Sequence, residues 1–241
     1  MRFTKEYKKN YRDMAKLNSK ICFIIPCYNE EKNINYTLLE INKVIKELKI
    51  KYYEIIVIDD GSTDNTYLEV KRNKFLKKFK LKRNLGIGGA YKYGLGKSNS
   101  KYIIMIPGDN SHPASSIRPI LEILGNKDII IPFTLKKGKR SFFRYCLSNI
   151  FTLLVNFIFN MNIKYYNGTV AHKSDLLKKL IINSNGFDYQ AEILIKLIKQ
   201  GHTYEFIEVQ INEREIGKSK AVSIYNTFKI IKNLIQIKKN L

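Results

Sequence analysis

Four consecutive apolar residues, Ile55 to Ile58, run straight into Asp59, Asp60 and Gly61. So short and so apolar a run reads as a buried strand closed by a tight turn, with a helix starting near Ser62 or Asp64. Carboxylates at the carboxyl end of a buried parallel strand stand where α/β proteins bind ligands. Two adjacent acids there cost folding free energy unless donors meet them. Ribose hydroxyls and base N–H groups are suitable donors; a helix N-cap and a turn are the alternative use of the same two residues.

The flanking segments repeat this arrangement. Ile21–Ile25 is a short apolar run followed by Pro26 and the polar Tyr28, Asn29, Glu30 and Glu31, which open a helix with Ile34, Leu38, Ile41, Ile45 and Leu48 three or four apart. Arg83 to Gly94 is glycine-rich, and Tyr102–Ile106 is a third apolar run that ends in Pro107, Gly108, Asp109, Asn110, Ser111, His112 and Pro113. Further strands are expected at Asp128–Ile131 and Thr203–Val209, with a weaker one near Lys78–Lys82. Strand–helix alternation of this kind predicts an α/β fold with a mostly parallel sheet flanked by helices. The second half predicts a long helix over Ser141–Asn160, helices near Ser174–Ile181 and Tyr189–Lys199, and a terminal helix from about Ala221.

The order of these segments resembles the family 2 glycosyltransferases of GT-A fold, a Rossmann-like architecture, and within them the polyprenyl-phosphate sugar transferases, the group of dolichyl-phosphate mannose synthase. Five groups carry the resemblance: Pro26 to Glu30; Asp59 to Asp64; Asn84 to Gly88; Asp109 with Ser111, His112 and Pro113; and Arg214, Gly217, Lys218, Ser219 and Lys220. The resemblance divides the chain into a basic arm (1–18), a transferase domain (19–220) and a basic amphipathic C-terminal helix (221–241).

It implies an inverting transfer of a sugar from a UDP or GDP donor to a membrane lipid phosphate such as polyprenyl phosphate. Pro26, Tyr28, Glu30, Asp59 and Asp60 would hold the nucleoside, and Gly86 and Gly88 would bring bare backbone to the donor. Arg144 and Ser148, one helical turn apart, would join the donor side, with Arg140 nearby. Arg214, Lys218 and Lys220 would neutralise phosphate groups, Arg by paired contacts and Lys as a mobile charge. Where the family usually carries Asp-x-Asp for Mg²⁺ or Mn²⁺, this chain has Pro107 and Asp109, so Asp109 alone would carry the metal, aided by Asn110 or Ser111 and diphosphate oxygens. His112 reads as a helix-start residue.

A phosphate acceptor is already an anion and needs no general base. A hydroxyl acceptor of a glycan or glycolipid would need one, and Asp188 and Glu192 are the candidates. A non-catalytic nucleotide-sugar-binding relative is the third possibility, raised by Pro107.

Composition bears on the partners. The 241 residues carry a net charge of +22, which suits anionic lipid headgroups or phosphorylated substrates. Part of it is a lysine-rich habit of composition. The chain lacks an RNA-binding aromatic motif, a helix-turn-helix signal or a zinc ligand set, so nucleic acid is not an expected partner. Cys22, Cys27 and Cys146 form no paired framework, and Cys22 and Cys146 read as buried. Residues 1–20 lack an apolar signal segment, and Tyr145–Ile163, although uncharged, contains four asparagines that lipid would not tolerate. The expectation is a cytoplasmic protein, peripheral on an anionic membrane; this segment and the C-terminal helix each either meet that interface or pack on the domain.

Overall fold

The computed structural model describes residues 19–134, 142–211 and 224–239, the side chains of 142–145 and 224–231 excepted. Seven strands form one sheet in the order β3-β2-β1-β4-β6-β5-β7. They are β1 Ile21–Cys27, β2 Tyr53–Asp59, β3 Lys77–Lys80, β4 Tyr102–Met105, β5 Ile129–Phe133, β6 Ala171–Lys173 and β7 Tyr204–Glu208. All pairings are parallel except those of β6 with β4 and β5. The helices are α1 Ile34–Glu47, α2 Thr66–Lys71, α3 Ile87–Leu95, α4 Ala114–Glu122, α5 Phe142–Phe159, α6 Ser174–Lys179, α7 Tyr189–Lys199 and α8 Ile224–Lys239.

β1 is buried along its whole length because it has strands on both sides and helices on both faces. Its side chains alternate between two apolar clusters. Phe23 and Ile25 meet α1 and α4 on one face; Cys22 and Ile24 meet α3 and α7 on the other. The expected spacing on α1 holds, since Ile34, Leu38, Ile41 and Ile45 are all buried.

The chain runs from β1 outward to β2 and β3, then crosses back to β4 on the other side of β1. This reversal opens a crevice at the carboxyl ends of β1 and β4, the position at which open α/β sheets bind ligands. The short β6 was not anticipated: three residues without a long alternating pattern carry too little periodicity to stand out. The helix after Asp59-Asp60 begins at Thr66, later than expected, because Asp64 Oδ1 accepts the Thr66 N–H at 2.9 Å and holds the preceding turn apart.

The long uncharged segment forms α5, which has two sides. Val155 and Phe159 are buried. Asn156 turns inward and brackets the following turn, donating to Ile163 O at 2.9 Å and accepting from Ile163 N and Tyr166 Oη at 3.0 and 2.8 Å. Ile150, Leu153, Leu154 and Phe157 point outward, Phe157 at 86% exposure. Among the described residues no helix is long and apolar enough to cross a membrane.

Of the two readings of the C-terminal helix, interfacial or packed on the domain, its described side chains show packing. Leu234 and Ile237 are buried in the domain core, leaving Ile235 and the lysines outside. Cys146 is half-buried rather than buried, whereas Cys22 and Cys27 are both enclosed.

Candidate functional site

The motifs at 26–31, 59–66 and 107–111 are far apart in sequence and adjacent in space. Cys27 pairs with Asp59 in register. Asp60 N–H donates to Cys27 O at 2.8 Å and Gly108 N–H to Pro26 O at 3.0 Å. The end of β1 thus lies between the two acidic loops. Pro26 is buried, so what it offers the site is backbone shape rather than a ring surface.

The first two loops are sewn together. Asn29 N–H donates to Ser62 Oγ at 2.9 Å, Glu30 N–H to Thr66 Oγ1 at 2.7 Å, and Thr63 N–H to Asn29 Oδ1 at 2.9 Å. Asn29 sits at φ 57°, a left-handed conformation that asparagine tolerates better than other side chains. Glu30 is buried and accepts from Asn33 Nδ2 at 2.7 Å. Tyr28 is half-buried at the rim.

The two adjacent acids have different duties. Asp59 Oδ1 accepts the Ser62 N–H at 2.9 Å. Its Oδ2 is buried and receives no hydrogen bond, with Lys80 Nζ 4.0 Å away. Asp60 instead accepts two backbone N–H groups from the next loop, Leu85 on Oδ1 at 2.7 Å and Gly86 on Oδ2 at 2.9 Å. Burial pushes Asp60 up to about 6 against the pull of those two amides, and the neighbouring Asp59 adds to the rise. The helix N-cap use considered for these residues is not what they do.

The glycine-rich loop is closely packed. Gly88 N–H, in the first turn of α3, donates to Asn185 O at 2.9 Å. A Cβ on Gly88 would stand 2.8 Å from Tyr189 Cβ and 2.9 Å from Ser184 O, and one on Gly86 2.5 Å from Asn185 O. The space these glycines leave is filled by the 184–189 segment of the protein itself, and the amides of Leu85, Gly86 and Gly88 are already committed. Gly86 and Gly88 therefore allow the close packing of this loop against the 184–189 segment.

Glu192 is fully engaged by the protein. Its carboxylate is buried and receives Asn183 N–H at 3.0 Å, Ser184 N–H at 2.8 Å and Lys196 Nζ at 2.6 Å. Asp188, the other candidate base, is buried and accepts from Ser184 Oγ at 2.6 Å and Asn233 Nδ2 at 2.7 Å. Both acids hold the 183–186 loop in place, and sequence alone could not distinguish that duty from a catalytic one.

Asp109 sits in a turn that α1 supports: Asn110 N–H donates to Thr37 Oγ1 at 2.9 Å, and Asp109 Oδ1 accepts from Ser111 N at 3.1 Å and Ser111 Oγ at 2.5 Å. Among the described residues no three acids, histidines or cysteines gather as a metal cage. The donor set suits a hard cation held by one carboxylate and completed by diphosphate oxygens and water, with no full protein cage. His112 is buried two residues before α4, with Nδ1 3.0 Å from Thr169 Oγ1. Ser148 is half-buried on α5; the Arg144 side chain lies outside the described part of that helix. Arg140, Arg214, Lys218 and Lys220 lie outside the described residues.

The profile of Glycosyl transferase family 2 matches residues 22–179. A dolichyl-phosphate beta-glucosyltransferase of Dictyostelium discoideum is 26% identical over 245 residues, covering 92% of this chain and 74% of that protein. An uncharacterized protein of Methanocaldococcus jannaschii is 30% identical over 237 residues, covering 90% and 96%. Among solved structures, glucosyl-3-phosphoglycerate synthase from Mycobacterium tuberculosis, in complex with Mn²⁺, UDP-glucose and phosphoglyceric acid, shares the fold with a TM-score of 0.76 at 16% identity, covering 93% of this chain and 82% of that one.

Proposed function

This chain belongs to glycosyl transferase family 2 and is a glycosyltransferase, and we propose that it moves a hexose from a nucleotide diphosphate, UDP-glucose first among the candidates, to a membrane lipid phosphate with inversion at the anomeric carbon. The observation that carries the reading is the buried Oδ2 of Asp59, at the carboxyl end of β2 beside β1, which no hydrogen bond reaches. A carboxylate oxygen excluded from water calls for a donor, and a base N–H or ribose hydroxyl supplies one. The lipid-phosphate acceptor is favoured by the dolichyl-phosphate relatives and by the occupied state of Asp188 and Glu192.

In the proposed reaction an acceptor phosphate oxygen attacks the anomeric carbon, the bond from that carbon to the donor diphosphate breaks, and UDP leaves with the electron pair. No proton has to be removed from a phosphate anion. What the chain must supply is orientation and positive charge. Asp59, oriented by the Ser62 N–H, holds the nucleoside, Asp60 clamps the 84–88 loop beside it, and Arg214, Lys218 and Lys220 draw the acceptor phosphate in. Asp109 would hold Mg²⁺ or Mn²⁺, whose chemistry here is to neutralise the departing diphosphate.

Membrane contact falls to α5. Ile150, Leu153, Leu154 and Phe157 recur at helical spacing on its outer side, an exposed apolar stripe suited to an interface. The exposed Lys232, Lys238 and Lys239 of α8, a helix in contact with α5, supply charge for anionic headgroups. The protein is then peripheral, with the lipid phosphate delivered at the surface it rests on.

The test is incubation of the purified chain with pooled UDP- and GDP-sugars, Mg²⁺ or Mn²⁺, and polyprenyl phosphate in anionic vesicles, followed by mass spectrometry of the lipid. A hexose-bearing polyprenyl phosphate is expected, lost in Asp109→Ala. Intact donors and an unchanged lipid would overturn the proposal. Phe157→Ser should reduce flotation with the vesicles; undiminished flotation would remove α5 from the contact.

A further inference from the structure

We infer that Thr37 is a positioning residue for the proposed transfer: its buried hydroxyl holds the Asn110 amide and so fixes where Asp109 stands for the cation and the donor diphosphate. The consequence for the cation rests on the function proposed above; the hold on the turn does not.

The 108–114 segment lies along one strip of α1. Gly108 is seated at the start of the helix. Its N–H donates to Pro26 O at 3.0 Å, and a Cβ there would stand 2.7 Å from Cys27 Cβ and 3.2 Å from Ile34 Cδ1. Three residues along the helix, Thr37 Oγ1 takes the Asn110 N–H at 2.9 Å. Three further, Glu40 Oε2 takes the N–H of Ala114, the first residue of α4, at 2.5 Å. Ile34, Thr37 and Glu40 share a face by their spacing, so one helix supports the turn at its beginning, middle and end.

Thr37 is the middle support. It is 1% exposed, and an Asn110 amide deprived of its hydroxyl would face the packed side of α1, where an unmet donor is costly. Asn110 stands at φ 57°, the left-handed conformation in which the chain reverses directly after Asp109. Asp109 Oδ1 closes the same turn by accepting from Ser111 N and Oγ. The Asp109 carboxylate and the Asn110 amide therefore belong to one small unit, and a shift of either moves the other.

The same helix carries the nucleoside loops. Asn29 and Glu30, just before it, donate their N–H groups to Ser62 and Thr66, and Asn35 Nδ2 in its first turn donates to Glu69 Oε2 at 2.8 Å. A nucleoside diphosphate has a set span from base to phosphate, so the carboxylate that meets the nucleoside and the one that meets the cation must keep one separation. α1 is the element common to both. Pro107 raises the demand on it. Two carboxylates share a cation and absorb a small misplacement; a single one depends on the contacts that orient it.

Three variants test this. Thr37→Val keeps the shape and removes the acceptor, Thr37→Ser keeps the hydroxyl, and Glu40→Ala loosens the far end of the turn from a half-buried position. The readouts are Mn²⁺ affinity with UDP bound, by electron paramagnetic resonance; UDP affinity in EDTA, by calorimetry; and hydrogen exchange of the 109–111 amides. In Thr37→Val the Mn²⁺ affinity should fall about tenfold, the usual cost of losing a contact that orients a metal ligand. Exchange at 109–111 should quicken about tenfold, with β1 and β2 unchanged. UDP affinity in EDTA should stay within about twofold, since the nucleoside loops keep their own contacts. Thr37→Ser should stay within about threefold of wild type in every readout, and Glu40→Ala should weaken Mn²⁺ binding in the same direction by a smaller factor. Unchanged Mn²⁺ affinity in both Thr37→Val and Glu40→Ala, serine as weak as valine, or metal-free UDP affinity falling in step with Mn²⁺ would overturn the inference. If the wild-type chain binds neither UDP nor Mn²⁺, that counts against the proposed function, and exchange at 109–111, faster with valine and not with serine, still decides the hold.

Discussion

Lys80 Nζ lies 4.0 Å from Oδ2 of Asp59, the oxygen that no hydrogen bond reaches. The lysine comes from the edge strand β3 and is nearly half exposed, so it lowers the cost of the buried charge without occupying the carboxylate's lone pairs.

This relationship predicts the behaviour of Asp59→Asn. The amide oxygen can still take the Ser62 N–H, while the amide nitrogen replaces an acceptor with a donor where the nucleoside would bind. UDP affinity, measured by calorimetry, should fall by about tenfold or more, one lost charge-assisted hydrogen bond. The melting temperature should hold within a few degrees or rise, because a buried charge has been removed. A large drop in melting temperature with UDP affinity intact would mark Asp59 as a folding residue.

Glu192→Gln separates a base from a brace. As a brace, the carboxylate serves two backbone amides and Lys196, and its loss should destabilise the fold by about 3 kcal/mol in urea denaturation. The pH profile of kcat should keep its shape. If Glu192 were a general base, kcat would instead fall by about 10²-fold or more and the acidic limb of the profile would disappear.

Gly88→Ala tests what fills the glycine loop. Its new methyl would meet Tyr189 Cβ at 2.8 Å and the Ser184 carbonyl at 2.9 Å, and overpacking against backbone of this kind should cost about 1–3 kcal/mol. Gly96→Ala is the control. Gly96 has an ordinary φ of −66° and ordinary contacts, so alanine there should be neutral or stabilising by about 0.5 kcal/mol. Equal losses at the two positions would mean the close packing at Gly88 is not what constrains it.

Acid stability should depend on His172 and Asp60 in opposite senses. Burial holds His172 down at about 3. In the folded state it binds fewer protons than in the unfolded state, so its contribution to stability is intact above the unfolded value near 6.5 and is lost as pH falls toward 3. Asp60 sits at about 6, above its usual range, so its ionisation burdens the folded state above pH 6, and that burden lifts as pH falls. Between pH 6 and 5 the two trends offset one another. His172→Leu should leave only the second, so its urea midpoint should rise on acidification over that window while the wild-type midpoint changes little. A midpoint that falls in both proteins would show that another group controls this range.

The chemistry was legible wherever a short apolar run ended in acids. The runs closing at Ile25, Ile58 and Ile106, the helical spacing of α1, and the ordered motifs after each strand announced a parallel α/β sheet with its site at the strand ends. These signals are local: burial on both faces demands an unbroken apolar run, and a crossover helix demands a 3.6-residue period. The sequence determined that much by itself. Only the tertiary structure decided how the acids divide. Asp59, Asp60, Asp188 and Glu192 are alike as residue types, yet one keeps a bare buried oxygen and three spend theirs on Leu85 and Gly86, on Ser184 and Asn233, and on Asn183, Ser184 and Lys196. The partners lie up to 45 residues away, beyond the reach of any periodicity. Whether a buried carboxylate serves chemistry or architecture depends on which donors the folded chain brings to it.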